Sequence, residues 1–218
     1  MTASKFSKTL FEEDPVVGII RGVPEKALEG VLEASVKAGL KFAEITLNTP
    51  QAPELIARAV EKFSDSLCIG AGTVLSATDA ETAVSAGASF LVSPTLHLEV
   101  ADYCNKHELP YFPGAFTPTE IEKAWSAGAY MVKIFPSCRL GPQYFKDIKG
   151  PFSHIKLLAV GGVHADNILD YLSAGASAVA VGGSIFSISR MENCQFSPIQ
   201  KDLKEILFAV KNYFTTIK

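Results

Sequence analysis

The sequence has no Cys-x-x-Cys pair, no His-x-x-x-His pair, no basic tract and no apolar run that approaches a membrane span. Each absence removes a class of protein. The four cysteines (Cys68, Cys104, Cys138, Cys194) lie far apart, which fits free thiols in a reducing compartment and argues against a structural zinc site. The four histidines (His97, His107, His154, His164) are equally scattered, so surface or loop positions are expected for them. A site that needs no metal is therefore the default. Net charge is −3 with no clustering of Lys or Arg, so neither nucleic acid nor an anionic membrane is an expected partner. Apolar runs such as Val16–Ile20 fall far short of the ~20 residues that cross a bilayer. The first residues show no apolar secretory core with a cleavage site, so a cytoplasmic protein is expected.

What is present is a chain of 218 residues, 48% hydrophobic and 20% charged, enough for one large core. No linker divides it, which predicts a single domain over residues 1–218. Residues 1–14 carry Phe6, Leu10 and Phe11 at helical spacing and predict a short helix ahead of the core. Val16–Ile20 reads as the first strand, and 24–38 as an amphipathic helix with Ala27, Val31, Leu32 and Val36 inward. A pattern then recurs. Ala38-Gly39-Leu40, Ala86-Gly87-Ala88, Ala127-Gly128-Ala129 and Ala174-Gly175-Ala176 each end a helical stretch, with glycine as the expected C-cap. Strands follow at once at 42–47, 89–93, 130–135 and 178–182, and further strands are expected at 67–70, 110–112 and 155–160. Eight strands alternating with helices, at a period of about 20 to 26 residues, predict a (β/α)₈ TIM barrel. An open doubly wound sheet is the alternative, which the regular period disfavours. Residues 199–214 repeat apolar positions as a covering helix, and 190–198 reads as a polar loop.

One lysine interrupts the apolar strand Tyr130-Met131-Val132-Lys133-Ile134-Phe135-Pro136. It shares a face with Met131 and Phe135. Burial would lower its pKa and make the neutral amine, a Schiff-base nucleophile, accessible near pH 7. The bland alternative is a lysine that snorkels to water. In a barrel the active site lies at the C-terminal ends of the strands. There stand Arg21, Glu44, Thr73, Pro94, Pro113, Lys133 and two glycine turns. Glu44 shares a strand face with Phe42 and Thr46, and an internal acid near an internal lysine is a candidate general acid and base. The plain alternative is a buried ion pair. Gly161-Gly162 and Gly182-Gly183-Ser184 follow strands seven and eight, the usual phosphate site of this fold, and Ser184 could open a short helix facing the anion. Ordinary tight turns are the alternative.

Ile19-Ile20-Arg21-Gly22, Glu44-Ile45-Thr46-Leu47, Gly70-Ala71-Gly72-Thr73-Val74, Ser93-Pro94, Phe112-Pro113-Gly114, Lys133-Ile134-Phe135-Pro136, Gly161-Gly162-Val163 and Gly182-Gly183-Ser184 together resemble the 2-keto-3-deoxy-6-phosphogluconate (KDPG) aldolase family, in register from about residue 10 to 190. The resemblance implies a class I aldolase, a homotrimeric (β/α)₈ barrel with no metal or organic cofactor. Its implied ligands are a phosphorylated keto sugar acid and pyruvate. It casts Lys133 as the Schiff-base lysine and Glu44 as the proton-transfer residue. Arg21 and Thr73 would hold the pyruvate portion, and the glycine turns with Ser184 the phosphate. Pro94, Pro113 and Phe135 would shape and dry the pocket.

Two positions depart from the gluconate pattern. Members of the family often carry arginine where this chain has Asn48, and threonine where it has Val160. Both departures, with Gly141-Pro142-Gln143-Tyr144, look closer to the related aldolase acting on the galactonate epimer, so cleavage of either or both epimers is expected. Two other functional classes compete: a different phosphate-site barrel enzyme, which the internal Lys133 and Glu44 disfavour, and a non-catalytic sugar-phosphate-binding barrel.

Overall fold

The glycines that end the helices set the rhythm of the fold. In the computed structural model, which describes residues 6–216, Gly39, Gly87, Gly128 and Gly175 adopt φ of 102°, 100°, 93° and 103°. An L side chain in that left-handed region costs about 1 kcal/mol or more, and glycine avoids it. The strand segments are β1 (Val16–Ile20), β2 (Phe42–Thr46), β3 (Cys68–Gly72), β4 (Leu91–Val92), β5 (Tyr111–Phe112), β6 (Gly114–Ala115), β7 (Val132–Ile134), β8 (Leu157–Val160) and β9 (Ala178–Val181). The helices are α1 (Lys8–Glu13), α2 (Leu28–Ala38), α3 (Ala52–Phe63), α4 (Ala77–Ser85), α5 (Leu98–Lys106), α6 (Pro118–Ser126), α7 (Ser137–Lys149), α8 (Ile168–Ser173), α9 (Ile188–Glu192) and α10 (Phe196–Thr216). Of the helix expected over 1–14, residues 1–5 lie outside the described residues.

Nine parallel segments stand where eight strands are expected, because Pro113 divides the fifth. Proline has no N–H to give to a ladder. β5 therefore pairs with β4, and β6 pairs with β7 in the register Gly114↔Lys133 and Ala115↔Ile134. The Pro113 carbonyl still accepts from Lys133 N–H at 2.9 Å. The sheet order β5-β4-β3-β2-β1-β9-β8-β7-β6 thus begins and ends on adjacent pieces of chain, closing a (β/α)₈ barrel. The strand expected at 67–70 sits two residues later at its C-terminal end, on Cys68–Gly72.

Alternation along the strands separates two apolar layers. Ala43, Ile45, Val132 and Ile134 pack outward against the helices, and Phe42, Met131, Phe112 and Val160 pack within the barrel. At the N-terminal end α1 lays the fully buried Phe11 across the opening, its ring 4.9 Å from Phe42 and 5.7 Å from Phe112. Each such buried ring contributes about 1.5–3 kcal/mol. Gly70 makes room for this plug, since a Cβ there would lie 2.5 Å from the Phe90 ring.

The C-terminal region differs from expectation. The covering helix starts at Phe196 and runs to Thr216, and the stretch expected as a polar loop, 190–198, holds the last three residues of α9 and the first three of α10. Ser187 caps α9 by accepting from Arg190 N–H at 3.3 Å. Arg190 in turn reaches Asp202 of α10 at 2.7 Å and the Ile185 carbonyl at 3.2 Å. Long-range partners, invisible to local polarity, hold this segment in shape. The Phe196 ring also packs on Gly30 of α2, where any Cβ would collide with it.

Candidate active site

Glu44 and Lys133 are the only buried charged side chains among the described residues, at 2% and 4% exposure. β2 carries Glu44 between the inward Phe42 and Thr46, and β7 carries Lys133 between Met131 and Phe135, as the strand alternation predicts. No hydrogen bond joins them among the described residues, and they act on each other through space. Burial pushes the Lys133 ammonium below its ordinary value; the Glu44 charge opposes that shift and the Arg21 charge adds to it. Burial holds the Glu44 carboxyl above the usual carboxylate value, against the pull of Lys133 and Arg21. An amine that deprotonates easily beside a carboxyl that protonates easily is the pairing that nucleophilic addition and proton transfer need. The Lys133 Nζ also lies 4.9 Å from the Phe135 ring centroid.

At the C-terminal ends of the strands a cavity of about 570 Å³ opens. Of the residues expected at the site, Arg21, Phe135 and Val160 line it, and so do both glycine turns, Gly161-Gly162 and Gly182-Gly183-Ser184. Phe135, 37% exposed, joins this cavity to the Lys133 contact beneath its ring. Pro94 does not line it and borders a smaller hollow of about 210 Å³, which Phe135 shares. Thr73 lines neither. It follows β3 with φ 58°, a left-handed backbone that is an outlier for a β-branched residue and marks local strain at a strand end. A larger hollow of about 750 Å³ lies around Trp125 and Tyr130 near α1, at the opposite end of the barrel. It holds neither glycine turn and none of the residues expected at the site, so it is set apart from the chemistry; Glu44 and Lys133 themselves line neither cavity and lie beneath the Phe135 side of the rim.

Ser184 opens no helix, contrary to expectation. Ile185 and Phe186 N–H both donate to the Gly182 carbonyl, at 2.9 and 2.8 Å, forming a single turn. Its hydroxyl donates to the Val163 carbonyl at 3.0 Å and so ties the two glycine turns together. Gly161 and Gly162 have φ of 91° and 75°, which an L residue would hold only under strain. The N–H groups of Gly162, Gly183 and Ser184 have no partner among the described residues. Free N–H groups on two adjoining turns form a concavity that suits an anion.

Three contributors escape the sequence reading. Gly72 leaves the space that the Glu44 carboxyl occupies, since a Cβ there would sit 2.5 Å from Oε1. Ser137, fully buried, donates to the Ile134 carbonyl at 2.7 Å and accepts from Val160 N–H at 3.0 Å, pinning the end of β7 to β8. His164 lines the cavity beside the first glycine turn. Each had a local signal that carried no role: Gly72 lies within Gly70-Ala71-Gly72-Thr73-Val74, and Ser137 and His164 directly follow Lys133-Ile134-Phe135-Pro136 and Gly161-Gly162-Val163.

A family model described as KDPG and KHG aldolase matches residues 8–201. The chain is 37% identical over 174 residues to the 2-dehydro-3-deoxy-6-phosphogalactonate aldolase of Escherichia coli strain K12, a match that covers 79% of this chain and 84% of that protein. Among solved structures it is similar to native KDPGal, with a TM-score of 0.88 and 29% identity over 97% of this chain and 99% of that one. It is also similar to a KDPG aldolase from Legionella pneumophila, with pyruvate captured at low pH as a covalent carbinolamine intermediate. That match has a TM-score of 0.83 and 28% identity over 89% of this chain and 95% of that one.

Proposed function

The chain belongs to the KDPG and KHG aldolase family and is an aldolase, and from that premise we propose a class I cleavage of 2-keto-3-deoxy-6-phosphogluconate to pyruvate and glyceraldehyde 3-phosphate through Lys133. The observation that carries this reading is the pair of buried charges, Lys133 and Glu44, inside an otherwise apolar barrel. The neutral Lys133 amine adds to the C2 ketone to give a carbinolamine, and loss of water gives the protonated imine. Glu44 accepts the C4 hydroxyl proton as the C3–C4 bond breaks, and the bonding electrons move into the imine to form an enamine. Glyceraldehyde 3-phosphate departs. Glu44 then returns a proton to C3, and hydrolysis releases pyruvate and the free amine. Arg21 pairs with the carboxylate and Thr73 helps to hold the pyruvate portion. Phe135, with Pro94 in the adjoining hollow, limits water around the imine. The glycine turns and Ser184 hold the phosphate. Nothing in this sequence of steps calls for a metal or an organic cofactor.

A second reading concerns the sugar. The galactonate epimer, which differs at C4, is the substrate named for the E. coli relative. Val160 supports use of both epimers: it lines the cavity with a methyl group where a hydroxyl could have told the epimers apart. Asn48, exposed in the turn after β2, offers no cation in its place. The assembly proposed is a homotrimer working in the cytoplasm, and no described helix is long and apolar enough to cross a membrane. Borohydride reduction in the presence of pyruvate, followed by intact-mass and peptide analysis, tests the central step. A three-carbon adduct on Lys133 is expected; no adduct, or one on another residue, overturns the assignment.

A further inference from the structure

We propose that His164 is a side-chain hydrogen-bond donor to the substrate's phosphate group, which deepens the aldolase reading above and rests on it. A phosphate monoester carries about −1.5 to −2 at pH 7, and the same substrate carries a carboxylate. The cavity that holds the glycine turns has two basic side chains, Arg21 and His164, and no acidic one. They stand on different strands' ends: Arg21 follows β1, and His164 follows the Gly161-Gly162 turn after β8. Arg21 also has a second task, since its charge acts on both Glu44 and Lys133. If Arg21 is engaged with the carboxylate, the phosphate end has only neutral N–H and hydroxyl donors unless His164 takes part.

The loop that carries His164 is built to hold it in place. Its backbone N–H donates to Asn167 Oδ1 at 2.9 Å, and Asn167 Nδ2 donates to the Gly162 carbonyl at 2.9 Å. Asn167 thus clasps the turn through backbone groups and leaves the imidazole out of the framework. Among the described residues the ring's one ionic partner is Asp166, with Nδ1 3.4 Å from Oδ2. Asp166 is 94% exposed and His164 47% exposed, so this contact is weak in itself. Its effect is orientation: with Nδ1 toward Asp166, Nε2 is the nitrogen left to donate to a ligand. Imidazole donates from that nitrogen when both ring nitrogens carry protons; a neutral ring does so only as the Nε2–H tautomer, in which Nδ1 gives no proton to Asp166.

The test compares wild type with His164→Asn and His164→Lys in the cleavage assay, with inorganic phosphate as a competing probe. His164→Asn should raise KM for the phosphorylated substrate roughly tenfold, the modest end for a half-exposed charge-assisted contact, with kcat within about twofold. Inhibition by phosphate should weaken in parallel, and His164→Lys should restore most of both. Exchange of the pyruvate methyl protons, which involves no phosphate, should stay at the wild-type rate in either variant. An unchanged KM and phosphate inhibition in His164→Asn overturns the proposal, and so does a loss of exchange as large as the loss of affinity. A wild-type enzyme indifferent to phosphate, yet able to exchange, removes the phosphate site and this proposal together while leaving the Schiff-base chemistry standing.

Discussion

Replacing both buried charges, by Lys133→Met with Glu44→Leu, should yield a barrel that is inactive and more stable. Taking each charge out of water is expensive, and the two share no hydrogen bond that would offset it. Apolar substitutes of similar volume for a buried pair typically stabilise by about 1–4 kcal/mol. For a chain of this size each kcal/mol moves Tm by about 2–4 °C, so the rise should fall within roughly 2–16 °C. The pH dependence identifies the cause. Lys133 titrates below its ordinary 10.5 when folded, so between its folded value and 10.5 the unfolded chain binds more protons and wild-type stability rises with pH. Glu44 titrates above 4.5 when folded, so between 4.5 and its folded value the native state binds more protons and stability falls as pH rises. The gain from the double replacement should therefore be largest between those windows and shrink toward pH 4.5 and pH 10.5. Lys133→Met alone should gain less, because Glu44 stays buried with only Arg21 to oppose its charge. Thermal unfolding at fixed protein concentration across pH measures this. A double variant less stable than wild type at pH 7, or one that keeps the wild-type pH profile, would refute the reasoning.

Glu44→Gln should retain substrate binding but slow pyruvate methyl-proton exchange by about 10²- to 10⁴-fold, and near-wild-type exchange would count against its role. Gly72→Ala places a Cβ where the Glu44 carboxyl sits, so kcat should fall by roughly 10²-fold, the usual penalty for a misplacement near 1 Å; full activity would show that the carboxyl position is unimportant. Wild type should cleave both C4 epimers measurably, and Val160→Thr should shift kcat/KM toward the gluconate form by about 2- to 12-fold, as one added hydrogen bond worth 0.5–1.5 kcal/mol allows. Strict gluconate selectivity in wild type, unmoved by the substitution, would sink that account. Light scattering at micromolar concentration should give a trimer mass, and a clean monomer would exclude it.

The features legible in the sequence are those where one residue type contradicts its neighbours. Lys133 in Met131-Val132-Lys133-Ile134 and Glu44 in Phe42-Ala43-Glu44-Ile45 stand out because charge is rare in strands buried on both faces. Glycine after alanine at four helix ends is legible for the same reason: only glycine holds φ near 100° without strain. What escaped depends on partners distant in sequence. Pro113 reads as the end of a strand, although its carbonyl keeps the ladder running to β7. The segment around Arg190 reads as a polar loop, because Asp202 and the Ile185 carbonyl cannot be inferred locally. Pro94 reads as a member of the main site because it ends a strand, yet Phe135 divides the rim into two hollows and leaves Pro94 in the smaller one.

β3 shows how one strand serves both packing and chemistry. Its inward positions are Cys68, Gly70 and Gly72, so two of three carry no side chain. The neighbouring strands fill the space left open. Near the plugged end, the Phe90 ring just before β4 lies over Gly70 and joins the aromatic cluster, 5.8 Å from Phe112. One step toward the open end, the Glu44 carboxyl from β2 lies over Gly72. The same absence of a Cβ therefore has opposite consequences along one strand. At Gly70 it lets apolar surface pack densely, which stabilises the barrel. At Gly72 it admits a buried carboxyl, which weakens the barrel and supplies a base. Thr73, the next residue, holds a strained left-handed backbone, so strain and buried charge are adjacent at this strand end. Substitution at Gly70 should thus register in stability and substitution at Gly72 in turnover, a separation that the geometry of β3 alone imposes.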